Sequence, residues 1–218
     1  MEKDRKLHEV KRFCMTVVGV MLCSFSIAVF KESNFGLDPF QCISQGVYIP
    51  LSDKIAFGNY YIIWSFLLLI ADFFLDRHQI GPATFVHMFL TGYIVDGSCW
   101  LIRQVLPDPG LAIRIAMLLF AVVVTCIGAS LYFTSAQGVS VYDAISLALA
   151  DRKVKVAGKV VPFKFLRVTS DLICVIVGCL FGLYPGIGTI ITAFFMGPLI
   201  EFFNVHIARP LLNGGKNK

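Results

Sequence analysis

Two short segments of the chain carry polar side chains at the same three-residue spacing. These side chains are Asp38, Gln41, Ser44, Ser140, Asp143 and Ser146. On a helix, positions three residues apart lie on one face, so each segment predicts a short helix with a polar face. The N-terminus of each short helix also exposes unpaired N–H groups, and together these features could bind a small polar or anionic solute. Asp38 and Ser140 also fit the N-cap position. The two interpretations are therefore capping alone, or capping combined with a contribution to a solute site.

Three acidic residues, Asp96, Asp171 and Glu201, fall within apolar runs. A carboxylate inside a membrane is costly and tends to face a cavity or a partner. We therefore predict a proton-coupling or gating role for these three residues. The alternative is that they are interfacial acids or ion-pair partners of nearby arginines. Asp72, which lies close to Arg77, is predicted to be an interfacial charge.

Thr84 and Thr189 each follow a glycine by three residues, Gly81 and Gly186. We predict that both threonines line the solute site. The alternative is structural, since glycines allow helices to approach closely and threonine hydroxyls bond to their own helix.

Other kinds of chemistry have little support in the sequence. The seven cysteines form no CxxC pair, and the four histidines are scattered without ligand spacing. The motifs GxSxG, HExxH and the P-loop are missing from the sequence. We therefore expect no metal, no cofactor and no enzymatic activity.

The composition indicates which elements must position these residues. Hydrophobic residues make up 57% of the 218 residues and charged residues 15%, against roughly 25% charged in a soluble domain. The net charge is +5, and the basic residues lie between long apolar runs. This pattern is typical of loops at an anionic membrane surface, not of nucleic-acid binding. The sequence predicts a polytopic membrane protein whose cytoplasmic face contacts anionic lipids.

Six apolar runs are long enough to cross a bilayer, which takes about 20 residues. They are Phe13–Phe30, Tyr60–Leu75, Ala83–Ile102, Leu111–Phe133, Phe165–Leu183 and Ile187–Ile207. Two half-apolar segments, Gly36–Ile49 and Gly138–Ala150, are too short to span comfortably. They are predicted to be re-entrant, because irregular backbone at membrane depth must be lined by protein or water.

The chain also predicts an internal duplication. A shift of 102 residues superimposes the two short segments and aligns Gly36 with Gly138 and Ser44 with Ser146. A shift of 105 residues aligns Gly81, Thr84, Gly92 and Asp96 with Gly186, Thr189, Gly197 and Glu201. The predicted boundaries are a tail over 1–12, repeats over 13–106 and 111–208, and a tail over 209–218.

The predicted fold is an all-α membrane protein with six spans, arranged as two inverted three-helix repeats that each contain a short re-entrant helix. Both termini are then cytoplasmic, and fifteen of the nineteen basic residues lie inside. The alternative has eight spans in parallel repeats and places seventeen of the basic residues inside. The charge count therefore does not distinguish between the two arrangements. Fourteen or so residues reach only about 20 Å, which favours six spans.

Three stretches carry a family resemblance: Gly36-Leu37-Asp38-Pro39-Phe40, Gly138 to Asp143, and Gly186-Ile187-Gly188-Thr189 through Glu201. With these, the chain resembles the YczE/YitT-type bacterial integral membrane proteins over nearly its full length. Val141 stands where the first copy has Pro39. The resemblance implies a multi-pass protein of the bacterial plasma (inner) membrane and supplies no substrate.

Together these features predict a small secondary transporter for a polar or anionic solute, bound where the two short helices meet. The alternatives are a non-transporting membrane scaffold or regulator, and a passive channel.

Overall fold

The apolar runs of the chain form long helices. The computed structural model describes residues 2–75, 80–145, 155–156, 159–160 and 163–213. In the first part of the chain the helices are α1 (Glu2–Ser33), α2 (Pro39–Tyr48), α3 (Phe57–Leu75), α4 (Pro82–Val105) and α5 (Leu111–Ser135), with a 3-10 turn at Ile49–Leu51 after α2. A helix over 141–145 is α6. The last part contains α7 (Phe163–Leu180), α8 (Ile187–Phe203), a π-helical turn at Asn204–Ala208 and α9 (Arg209–Asn213).

A two-stranded antiparallel hairpin, β1 (Lys155–Val156) and β2 (Lys159–Val160), precedes α7. It pairs Lys155 with Val160 and Val156 with Lys159. This hairpin is too small to alter the helical character of the fold.

Five helical stretches are long and apolar enough to cross a membrane. They are His8–Ser33, Phe57–Leu75, Pro82–Val105, Leu111–Ser135 and Ile187–Leu212, and α7 contains a shorter apolar stretch, Val168–Leu180. Large apolar side chains such as Phe74, Leu180 and Phe194 are 69–80% exposed on the outside of these helices. Because a soluble monomer rarely exposes so much apolar surface, the fold is that of a multi-pass helical membrane protein. The predicted all-α membrane class is confirmed.

Among the described residues, the most extensive helix–helix interface lies between α1 and α5, which are antiparallel. Thr16 Oγ1 donates to Ser135 Oγ at one end (2.7 Å), and Arg114 Nε donates to the Ser33 carbonyl at the other (2.7 Å). Between them, a Cβ on Gly19 would lie 2.7 Å from the Gly128 carbonyl oxygen. Small residues at this crossing therefore let the two backbones touch.

The directions of the remaining long helices follow from their contacts with α1, α5 and each other. α4 runs parallel to α1, since Ser24 contacts Thr91 (3.2 Å) and Glu32 pairs with Arg103 (2.8 Å). α8 runs parallel to α5: its first turn lies beside Leu118, and Thr134 donates to Asn204 just after its end (2.7 Å). α3 begins beside the second half of α4 and runs antiparallel to it, as its later residue Tyr61 lies beside His87.

The segment between α1 and α3 enters and leaves at the same end of the bundle. Lys31, in the last turn of α1, lies 5.5 Å from the centroid of the Phe57 ring at the start of α3. Within the segment, α2 begins buried at Pro39 and ends at the exposed turn 49–54. Tyr60 donates from α3 to the Ser44 carbonyl (2.8 Å) and holds the helix against the bundle.

Candidate functional site

The turn between α1 and α2 has a backbone shape that brings it back into the bundle. Asn34 and Gly36 both have positive φ, 59° and 109°. Gly36 suits this left-handed conformation because it lacks a Cβ. Asp38 then caps α2 by accepting from the Gln41 N–H (3.2 Å), and Pro39 occupies the first turn of the helix.

The turn between α5 and α6 has nearly the same shape. Ala136 and Gly138 have φ of 50° and 99°. Ser140 caps α6, since the Asp143 N–H donates to its Oγ at 3.2 Å. The predicted capping role of Asp38 and Ser140 is therefore confirmed at both helices.

Each of these turns docks on the start of a helix from the other half of the chain. The Gly188 N–H donates to the Phe35 carbonyl (2.7 Å), and the Ala83 N–H donates to the Gln137 carbonyl (3.0 Å). The approach depends on glycine, because a Cβ on Gly186 would lie 2.0 Å from the Phe35 oxygen. We call the first turn (34–38) the outer turn and the second (136–140) the inner turn, after the sides of the membrane that the predicted six-span arrangement gives them.

The two threonines predicted to line the site lie within these docking contacts. Thr84 Oγ1 accepts from the Gly81 N–H (3.2 Å) and donates to the Val139 carbonyl (2.7 Å). Thr189 Oγ1 accepts from the Gly186 N–H (3.3 Å). Both threonines are buried. Thr84 ties the inner turn to the start of α4, and the Thr189 hydroxyl lies beside the outer turn, where a Cβ on Gly36 would lie 2.7 Å from it.

The two short helices meet at a stacked pair of aromatic rings. Phe40 of α2 and Tyr142 of α6 have ring centroids 4.7 Å apart with 15° between their planes. The Tyr142 hydroxyl donates to the carboxylate of Asp171 on α7. This contact places Asp171 at the centre of the bundle, 9% exposed.

Asp143 lies in the same region and is 6% exposed. Its Oδ2 accepts from the hydroxyls of Tyr132 and of Ser140, the latter at 2.8 Å. Asp38 lies two residues before Phe40, and Asp143 directly follows Tyr142, so both acids flank the stacked rings. We call the stacked rings, these two acids and Asp171 the central region.

α2 contributes polar atoms that have no protein partner within the described parts of the chain. These are Gln41 Oε1, Ser44 Oγ and Gln45 Nε2, which are buried on one face of the helix. Trp64 Nε1 on α3 is also buried without a hydrogen-bond partner in these parts of the chain. Buried polar atoms are normally hydrogen-bonded, so this face offers an acceptor and donors to a bound molecule. Gln45 was not among the predicted site residues, although its i+4 spacing from Gln41 could have indicated it.

Asp96 and Glu201 lie in different environments. Asp96 Oδ2 accepts from the Gly58 N–H (2.8 Å) and so stabilises the start of α3. The Glu201 side chain is 61% exposed, and its Oε1 lies 3.5 Å from Arg209. Neither carboxylate lies among the residues of the central region. Glu201 pairs with Arg209, as the alternative interpretation of an acid beside an arginine predicts.

Ser146, which was predicted to contact the solute, lies outside the described residues.

The expectation that Asp72 is an interfacial charge is wrong, because its side chain is 1% exposed and neither carboxylate oxygen has a hydrogen-bond partner in the described structure. Within the same described ranges, no group of three or more His, Cys, Asp or Glu side chains could hold a metal ion.

The chain belongs to the family of unknown function DUF6198, whose family model matches residues 10–205. It is similar to the uncharacterized protein YyaS of Bacillus subtilis (strain 168), with 22% identity over 198 residues that cover 90% of this chain and 94% of the relative. No solved structure matches the chain. The comparisons do not confirm the resemblance to the YczE/YitT type, which stays a prediction.

Proposed function

We propose that the chain is a duplicated protein whose two halves have opposite orientation in the membrane, with six spans and two re-entrant helices. Two observations support this. α1 and the equivalent helix α5 are antiparallel, as is expected when each half contains an odd number of crossings. The positive φ angles at Asn34 and Gly36 recur 102 residues later at Ala136 and Gly138.

The docking contacts support the same proposal. One contact joins Gly188 to Phe35 and the other joins Ala83 to Gln137. A shift of 102 residues carries Phe35 onto Gln137, and a shift of 105 residues carries Ala83 onto Gly188, so the two contacts are equivalent. Such reciprocity is expected of two copies related by a pseudo-two-fold axis. In this arrangement both termini are cytoplasmic, the cytoplasmic loops contact anionic lipids, and the bacterial inner membrane is the location.

We further propose that the protein is a secondary transporter for a small polar solute, bound where α2 and α6 meet. The observation that carries this is the face of α2 with unpaired buried atoms, Gln41 Oε1, Ser44 Oγ and Gln45 Nε2. A packed protein core leaves few such atoms, because each costs roughly 1–3 kcal/mol. A hydrogen-bonding solute would recover that cost.

The charge of the central region narrows the class of solute. Its described charged groups are the carboxylates of Asp38, Asp143 and Asp171. These repel an anion and attract an amine or a polyol hydroxyl. We therefore favour an uncharged or cationic solute over the anionic one that the helix N-termini alone suggested.

The outer and inner turns would act as the two gates. Each turn is held on its helix by hydrogen bonds and by a close glycine contact, and the outer turn also by the buried side chain of Leu37. The two sets of contacts are separate, so either turn could lift while the other stays docked. The second candidate function, a scaffold or regulator, would leave both turns docked permanently. A passive channel would need both open at once.

The direct test is a thermal-shift screen of the purified protein in detergent, with a panel of amino acids, polyamines, sugars and polyols. A ligand that binds the folded state stabilises it by mass action. A hit would then be followed as labelled solute uptake into proteoliposomes. A folded protein that responds to no member of the panel and moves none of them would favour the scaffold.

A further inference from the structure

Gln41 and Asp143 occupy equivalent positions in the two short helices, 102 residues apart. Both side chains are buried, at 2% and 6% exposed. Asp143 Oδ2 accepts hydrogen bonds from two hydroxyls, whereas Gln41 Oε1 has no partner among the described residues. Buried acceptors are normally paired, so the difference between the two positions has a cause in their surroundings.

The chain around these two positions has the same hydrogen bonds in both halves. In the first half they run from Ser33 Oγ to the Phe30 carbonyl (2.7 Å), from the Asn34 N–H to the Lys31 carbonyl (3.2 Å), from the Gln41 N–H to Asp38 Oδ1 (3.2 Å) and from the Cys42 N–H to the Asp38 carbonyl (2.9 Å). In the second half they run from Ser135 Oγ to the Tyr132 carbonyl (2.6 Å), from the Ala136 N–H to the Phe133 carbonyl (3.2 Å), from the Asp143 N–H to Ser140 Oγ (3.2 Å) and from the Ala144 N–H to the Ser140 carbonyl (2.9 Å). Position 30 is therefore placed relative to position 41 as position 132 is placed relative to position 143.

Two side-chain differences leave the unpaired oxygen of α2 without a donor. In the second half the Tyr132 hydroxyl donates to Asp143 Oδ2, and the Ser140 hydroxyl donates to the same oxygen at 2.8 Å. In the first half Phe30 stands in the place of Tyr132 and has no hydroxyl. Asp38 stands in the place of Ser140, and a carboxylate only accepts hydrogen bonds. The acceptor on α2 therefore lacks both donors of its counterpart.

The next turn of α2 presents the complementary atoms. Ser44 Oγ and Gln45 Nε2 follow Gln41 by three and four residues, and both are buried without a partner in the described parts of the chain. Side chains at these spacings are neighbours on one helix face, about 5–6 Å apart. The Gln45 nitrogen donates, and the Ser44 hydroxyl donates or accepts. A molecule on this face therefore meets an acceptor at one end and donors at the other.

We propose that the solute supplies the hydrogen-bond donor that Tyr132 supplies in the second half. A hydroxyl or ammonium group of the solute donates to Gln41 Oε1, beside the Phe30 ring. An oxygen atom of the solute, about one helical turn away, accepts from Ser44 and Gln45. Polyols and amino alcohols carry both groups.

This inference rests on the proposed function, since it takes α2 as the solute site. It adds that the site is asymmetric. The first half binds the solute, because the tyrosine of the second half already fills the corresponding place there.

The first measurement uses the full-length protein in detergent, without solute. Phe30→Tyr restores the hydroxyl and should raise Tm by about 2–4 °C, the shift expected for one buried hydrogen bond in a chain of this size. In a Gln41→Leu background the same change should lower Tm, because the added hydroxyl is then buried without an acceptor. Tyr132→Phe is the matched change in the second half. It should lower Tm, since it removes a satisfied bond to Asp143.

The second measurement is the shift in Tm that a solute produces. The probes are sorbitol and aminobutanol, together with the panel of amino acids, polyamines, sugars and polyols described above. The donor-free controls are dimethoxyethane and tetramethylammonium. The parent should respond to at least one compound with both a donor and an acceptor, and to neither control. Phe30→Tyr and Gln41→Leu should each weaken that response roughly tenfold or more, as expected for one lost hydrogen bond to a desolvated group.

Gln41→Leu leaves position 30 unchanged and so covers the case in which Phe30→Tyr does not fold. A solute response that survives in either folded variant overturns this inference and leaves the proposed function standing, with the solute bound elsewhere. A Phe30→Tyr change that lowers Tm in both backgrounds overturns it too, because the hydroxyl then does not meet Gln41. If the sign of the Tm change reverses but no compound stabilises the parent, a water molecule occupies the place. That result overturns the solute assignment and also counts against the proposed function.

Discussion

Phe40 and Tyr142 stack on each other at the centre of the bundle, 102 positions apart in the chain. The Cys23 thiol and the Thr125 carbonyl are in contact at the same separation, at 3.7 Å. Under the proposed duplication, each of these is a contact between a residue and its own counterpart. Such self-contacts occur only on a two-fold axis, so the stacked rings would lie where the two halves meet.

The first prediction concerns the orientation of the loops. With six spans, Lys54 and Asp108 lie outside and His78 faces the cytoplasm, and eight spans reverse all three. Single cysteines in a background without native cysteines should react with an impermeant thiol reagent on intact cells at 54 and 108, but at 78 only after permeabilisation. Labelling at 78 alone would contradict the inverted arrangement.

The second prediction concerns the glycines under the two turns. A Cβ on Gly81 would lie 2.2 Å from the Gln137 oxygen, and one on Gly186 would lie 2.0 Å from the Phe35 oxygen. Gly81→Ala and Gly186→Ala should each lower stability by about 1–3 kcal/mol, as overpacking does. Thermal unfolding in detergent measures the change.

Gly197→Ala is the matched control for that pair. A Cβ there would meet nothing within 4 Å, and Ala is the better helix former by roughly 1 kcal/mol. Stability should therefore stay constant or rise. Equal losses in all three variants would show that the docking contacts are not the cause.

The third prediction separates binding from folding on α2. Ser44 Oγ is buried without a described partner, so Ser44→Ala removes a desolvated hydroxyl and should leave stability unchanged or raise it by about 1 kcal/mol. Solute binding should weaken at the same time. Thr16→Val breaks a satisfied buried bond to Ser135 and should lower stability by about 1 kcal/mol with solute affinity retained. If Ser44→Ala binds the solute like the parent, α2 does not contact it.

The fourth prediction concerns Asp96 and Glu201. Asp96→Ala removes the acceptor at the start of α3 and should cost about 1 kcal/mol, whereas Asp96→Asn keeps an acceptor and should cost less. Glu201→Gln removes an exposed ion pair and should change stability by less than about 1 kcal/mol.

The transport assay then addresses the predicted proton-coupling role of both acids. If either acid couples protons, Asp96→Asn or Glu201→Gln should flatten the pH dependence of uptake with stability retained. If both variants keep the pH profile of the parent, Asp96 and Glu201 have structural roles only.

The sequence by itself determined the helical membrane class, because that depends on apolar run length. The capping roles of Asp38 and Ser140 were also predictable, since a cap bonds to residues two or three positions away. Tertiary structure decided what depends on distant neighbours. Thr84 and Thr189 are positioned by turns more than fifty residues away. Glu201 lies on an exposed surface, although Asp96, its predicted counterpart, accepts a hydrogen bond at the start of α3. Asp72 looked like an interfacial charge because Arg77 follows it closely in sequence, whereas its 1% exposure depends on packing. Burial depends on how the helices pack together, and the spacing of residues along one helix does not show which residues of another helix they contact.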